Sequence, residues 1–133
     1  MTLNELVAVE VMGAPVIRIT DPVPAGMYVI DGVAWQGGGK TGKHFTPFYP
    51  STSIADAWEV VEKMRAGGWL FKLDDNGKDR LCTAAWFHKC KDGFCIDAEG
   101  VAYGLIKNEA KLICLAALRA VGVSEERIGE ACK

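Results

Sequence analysis

The chain has 133 residues, half of them hydrophobic and 24% charged, with 15 Lys+Arg against 17 Asp+Glu and a formal net charge of −2. That length and balance fit one globular domain able to bury a core without a metal or disulfide, and they exclude a disordered chain. The lack of a basic excess argues against nucleic acid as a partner. Met1–Leu6 has neither a basic nor an apolar signal region, so no signal peptide is expected. No apolar run reaches the roughly 18 residues of a membrane helix. Cysteines 82, 90, 95, 114 and 132 are odd in number and read as free thiols of a cytoplasmic protein.

In chain order, a first helix is expected over Thr2–Met12. Thr2 and Glu5 have capping-box spacing, and Gly13 and Pro15 follow as stop signals. Val16–Ile19 and Met27–Trp35 read as strands on either side of a Pro/Gly-rich turn. Gln36–His44 is glycine-rich and expected to be flexible, and Phe45–Pro50 is aromatic and proline-rich. A second helix starts at Ser53 as N-cap, lays Ile54, Ala57, Trp58, Val61 and Met64 along one face, and ends at Gly67-Gly68. A β-meander follows. Trp69–Leu73, Leu81–Cys90 and Phe94–Ala98 are its strands, with two-residue turns at Asn76-Gly77 and Asp92-Gly93. A long helix from Asn108 to Val121 ends at Gly122, and Ser124 opens a short terminal one.

The meander is apolar on both sides by its alternation. Trp69, Phe71, Leu73 and Trp86 are assigned to one face, and Leu70, Leu81 and Phe87 to the other. Such a sheet needs cover on both faces. The expected fold class is therefore α+β, an α–β–α sandwich built on an antiparallel β-meander, with residues 1–133 as one domain. Tryptophans 58, 69 and 86 are expected in the core.

Val11-Met12-Gly13, the run Ser51–Lys63, Gly68-Trp69 and Ile113–Gly122 together resemble the phage ABA-sandwich domain family. The resemblance is specific in the two helices and looser in the strands. It implies the sandwich fold and a phage origin, and it carries no catalytic motif to transfer. The segment at about 14–50 is longer than the family pattern and reads as an insertion. Added loops on a rigid scaffold are where binding residues concentrate.

Gly37–His44 approaches the spacing of a P-loop, but His44 stands where a magnesium-binding hydroxyl belongs and no helix follows. What remains is an anion-binding glycine loop with Lys40, Thr41, Lys43 and His44, flanked by Trp35, Phe45 and Tyr49, which suit base stacking. The alternative is a solvated loop flanked by aromatics that plug the core edge. Asp74–Asp79 lacks the glycine placement of a calcium loop and is explained as a turn. A two-residue turn at Asp92-Gly93 pairs Cys90 with Cys95 and His88 with Asp97 on one face. That set suits zinc or a cysteine nucleophile, or else two reduced thiols beside a hydrogen-bonded His–Asp pair. Neither a catalytic set nor a cofactor or metal is assigned.

The expectation is a non-enzymatic phage accessory protein in the host cytoplasm that sequesters a small nucleotide-like ligand, such as a host defence signal. A homo-oligomer is compatible with that role. The alternative is an interaction module that inhibits a host protein through Phe45–Pro50. A nucleic-acid-associated phage factor is the weakest of the three readings.

Overall fold

The computed structural model describes residues 1–22, 25–38, 45–75, 83–91, 95–104 and 108–133. Helix α1 (Leu3–Glu10) forms where expected because its cap is local. The Thr2 hydroxyl accepts from the Glu5 amide at 3.2 Å, and the Glu5 carboxylate accepts from the Thr2 amide at 3.0 Å. Thr2→Ala is expected to lower folding stability by about 1 kcal/mol, read from the midpoint of a urea titration. Helix α2 (Ile54–Ala66) begins after Ser53, whose hydroxyl accepts from the Asp56 amide, and stops at Gly67-Gly68, where Gly68 adopts φ +92°. Helix α3 (Glu109–Ala120) and helix α4 (Glu125–Ala131) complete the set.

Among the described residues, the strands form two antiparallel three-stranded sheets. The first holds β1 (Gly26–Ile30), β2 (Val33–Gly37) and β3 (Phe45–Pro47); the second holds β4 (Leu70–Asp75), β5 (Thr83–Lys91) and β6 (Cys95–Gly104). Among the described residues, four helices with two small antiparallel sheets make an α+β arrangement consistent with an α–β–α sandwich. Among the described residues, most buried apolar side chains form one cluster, with Phe48, Phe87, Leu6, Ile113 and Leu118 its largest fully buried members. Among the described residues, no helix is long and apolar enough to cross a membrane.

Three strand expectations are corrected. Val16–Ile19 is not a strand; Val16 makes a single parallel bridge to Val29. Met27–Trp35 is not one strand but a hairpin folded at Asp31-Gly32, with φ +50° and +79°. Both signs suit the tight turn that matches strand twist. In the second sheet Asp75 pairs with Thr83, which is not the register expected from a turn at Asn76-Gly77; residues 76–82 themselves lie outside the described residues. A turn at Asn76-Gly77 would set Leu73 opposite Arg80. The observed register sets Phe71 opposite Phe87 and Leu73 opposite Ala85, which buries apolar surface instead of a guanidinium.

That register also corrects the faces. Phe71 and Phe87 share the covered face, with ring centroids 4.9 Å apart, and Trp86 pairs with Lys72 on the opposite face. Both α2 and α3 reach the covered face, α2 through Trp58 against Phe71 and α3 through the backbone of Ala116 and Ala120 against Gly100. Trp58 is 41% exposed and flanks the core rather than filling it. The buried stripe of α2 is Ala57, Val60, Val61 and Met64, with Ile54 outside it.

Helix α3 ties the parts together. Arg119 donates to the Val101 carbonyl of β6 at 2.9 Å and to both carboxylate oxygens of Glu125 in α4. Those hydrogen bonds hold the Glu125 carboxyl below its ordinary pKa. Cys114, fully buried on α3, is pushed well above the usual thiol range by desolvation, so it is packing and not a thiolate.

Candidate functional site

The inner face of the first sheet carries Val29 and Ala34, which belong to the core. Strand alternation therefore puts Tyr28, Ile30, Val33 and Trp35 on the outer face. Pro15–Ile17 runs beside β1, through Ile17 N–H to the Val29 carbonyl and Val29 N–H to the Pro15 carbonyl, and this brings Ile19 over that face. Phe45, opposite Gly37 on β3, closes it from the other side. The result is an open cleft of about 350 Å³ lined by Ile19, Tyr28, Ile30, Asp31, Val33, Trp35 and Phe45.

Its floor is ordered. Tyr28 is buried and meets the edge of Phe45 at 5.4 Å with the rings 75° apart, a favourable aromatic geometry. Phe45 in turn lies against Gly38, where an added Cβ would stand 3.0 Å from the ring and 3.1 Å from the Ala25 backbone. Gly38 also has φ +96°. Gly37 and Gly38 thus belong to the structure of the cleft, not to the flexible run expected for Gln36–His44. Trp35 and Phe45 are half-buried, leaving ring surface at the mouth, and Asp31 adds one carboxylate to the lining. An aromatic and aliphatic wall of this kind suits a planar ring by stacking.

Of the expected site residues, Trp35 and Phe45 come together here. Tyr49 does not line the cleft; it is exposed beyond the buried Phe48, and its amide donates to Asp56 at 2.9 Å. Lys40, Thr41, Lys43 and His44 lie outside the described residues. Tyr28, Ile19 and Asp31 were missed. The Asp31-Gly32 turn signal would have revealed the hairpin that sets Tyr28 opposite Trp35.

The second expected constellation is not assembled as expected. Lys91 pairs with Cys95, Cys90 with Ile96 and His88 with Glu99, with a bulge between Lys89 and Cys90. The pairs next to the connection are one residue out of the register expected from a turn at Asp92-Gly93, which lies outside the described residues, and the bulge adds a second one-residue shift. Gly100 and Ala102 can then lie opposite Phe87 and Ala85 under α3. The pairs Cys90–Cys95 and His88–Asp97, on which the zinc and nucleophile readings depended, do not exist. His88 instead lies beside Trp86, which lines a second groove on the outer face of the second sheet. That groove measures about 290 Å³ and is lined by Lys72, Asp74, Ala84, Trp86, Glu99 and Val101. Trp86 donates from its indole nitrogen to Glu99 at 3.1 Å, and its ring lies 4.6 Å from that of His88.

Two small antiparallel sheets on a helical layer, with an aromatic cleft on one sheet, define a small α+β sandwich domain. The chain matches the phage ABA sandwich domain over residues 5–118 and belongs to that family. No match is found among curated proteins or among solved structures.

Proposed function

We propose that this protein binds a small nucleotide-like ligand in the aromatic cleft of the first sheet, and that it acts by sequestering the ligand rather than transforming it. The observation that carries this reading is the convergence of Trp35, Phe45 and Tyr28 in one open cleft directly before and after the Gly/Lys run 39–44. A base stacks on Trp35 and Phe45, and Lys40 and Lys43 supply charge for phosphate. In a phage protein, the fitting ligand is a signalling nucleotide of the host's antiviral defence in the host cytoplasm.

The test is calorimetry and native mass spectrometry against a panel of mononucleotides, dinucleotides and cyclic dinucleotides. One class is expected to bind, and Trp35→Ala is expected to weaken it about 10- to 100-fold, the worth of one lost base stack. Lys40→Ala with Lys43→Ala is expected to weaken binding further and to flatten its salt dependence. If no nucleotide in the panel binds, or Trp35→Ala binds like the wild type, the reading is wrong.

The inhibitory interaction module has less support. Phe48 and Pro50 are fully buried, so Phe45–Pro50 offers Thr46, Pro47 and Tyr49 to a partner but not its central aromatic.

A further inference from the structure

Strand β4 is an edge of the second sheet, and among the described residues nothing pairs with its outer side. It is also apolar for an edge: Leu70 is 54% exposed and Leu73 36%. Edge strands of this kind are usually blunted by a central lysine. Here Lys72 is central, but Asp74 stands two residues further on the same face, and the two bridge at 3.3 Å. The blocking charge therefore comes with its complement.

We infer that β4 pairs antiparallel with β4 of a second copy, making a homodimer with a continuous six-stranded sheet. A two-fold axis normal to the sheet keeps both faces continuous only when one residue pairs with its own copy. Centring on Leu73 sets each Lys72 against Asp74 of the other copy, twice over. Centring on Lys72 opposes two lysines, and centring on Asp74 opposes two aspartates, so charge selects the Leu73 register. On the helix side, Leu73 meets its copy at the end of an apolar strip continued by Phe71 and the half-exposed Trp58. On the other side, Lys72 and Asp74 line the groove beneath Trp86 and Glu99, so dimerisation joins two grooves into one across the axis.

The experiment is sedimentation equilibrium and native mass spectrometry over a concentration series, with circular dichroism to verify folding. Lys72 and Asp74 are both exposed, so their variants are expected to keep the wild-type fold. The wild type is expected to be a dimer that dissociates on dilution. Lys72→Glu, which gathers four carboxylates around the axis, is expected to weaken the dimer about tenfold or more, as is Asp74→Lys. The double variant Lys72→Glu with Asp74→Lys restores complementarity and is expected to recover most of the affinity. A wild type that stays monomeric throughout overturns the inference. So does an oligomer equally stable in the wild type, both single variants and the double variant.

Discussion

Replacing Gly100 with alanine is expected to cost about 3 kcal/mol or more of folding stability, the upper range for overpacking a closed contact. Gly100 sits on β6 opposite Phe87, on the face that α3 covers. A Cβ there would collide with the Ala116 carbonyl oxygen and the Ala120 amide nitrogen and stand 2.8 Å from the Ala120 Cα. These are backbone atoms in the middle and last turn of α3, so no side-chain rotation relieves the clash. Relief requires α3 to lift off the sheet, which would open the contacts of Cys114, Ala117 and Leu118, all fully buried. A loss of that size is a large part of the roughly 5–15 kcal/mol that holds a domain together. The control is Gly129→Ala in α4, where an added Cβ meets nothing within 4 Å. Its helical position favours alanine by about 0.5–1 kcal/mol, so the two substitutions are expected to move a urea midpoint in opposite directions. Equal stability of Gly100→Ala and wild type would mean that α3 does not cross β6 at this residue.

The helices were legible because their signals are local. Thr2 with Glu5, Ser53 with Asp56 and Ser124 with Arg127 each close within one turn, and Gly68 and Gly122 stop their helices with positive φ. Register was not legible, because it depends on which residues the whole fold can bury. Asn76-Gly77 is as good a turn signal as Asp31-Gly32 by composition, yet Asp31-Gly32 closes a two-residue hairpin while β4 and β5 pair in a register other than the one expected from Asn76-Gly77. The difference is distant: Phe87 lies sixteen residues beyond Phe71, and joining them under α2 and α3 overrides the local turn. That register moved Trp86 from the core to an open groove, and a separate register change between β5 and β6 parted His88 from Asp97.

The aromatic cleft was half legible for a related reason. Aromatic content around the glycine run directed attention to Trp35 and Phe45, and they do meet. Tyr28 and Ile19 lay far off in sequence and enter only through the missed hairpin and the strand-like Pro15–Ile17 segment beside it. Tyr49 looked equivalent to Phe45 in composition, but three intervening residues and the turn into α2 carry it away from the cleft.

Phe48→Ala is expected to cost about 3–5 kcal/mol, as for other fully buried aromatics, while Tyr49→Ala changes stability by less than about 0.5 kcal/mol. The two neighbours share the aromatic, proline-rich segment but not its environment. Phe48 is fully buried in the common core, and its amide donates to the Ala34 carbonyl at 2.7 Å, which anchors the exit of β3 to β2. Tyr49 is 44% exposed, and what holds it is its backbone amide on Asp56, which alanine retains. The comparison separates two roles for the segment. If it were chiefly a docking surface, Tyr49→Ala would reduce capture of a host protein and Phe48→Ala would matter no more than its neighbour. If it closes the core beneath the aromatic cleft, Phe48→Ala lowers the urea midpoint sharply. It then weakens ligand binding only in proportion to the unfolded fraction, whereas Trp35→Ala weakens binding with the midpoint unchanged. Measuring midpoint and affinity on the same three variants distinguishes the cases, because the core role predicts that the two quantities move together for Phe48 and separately for Trp35.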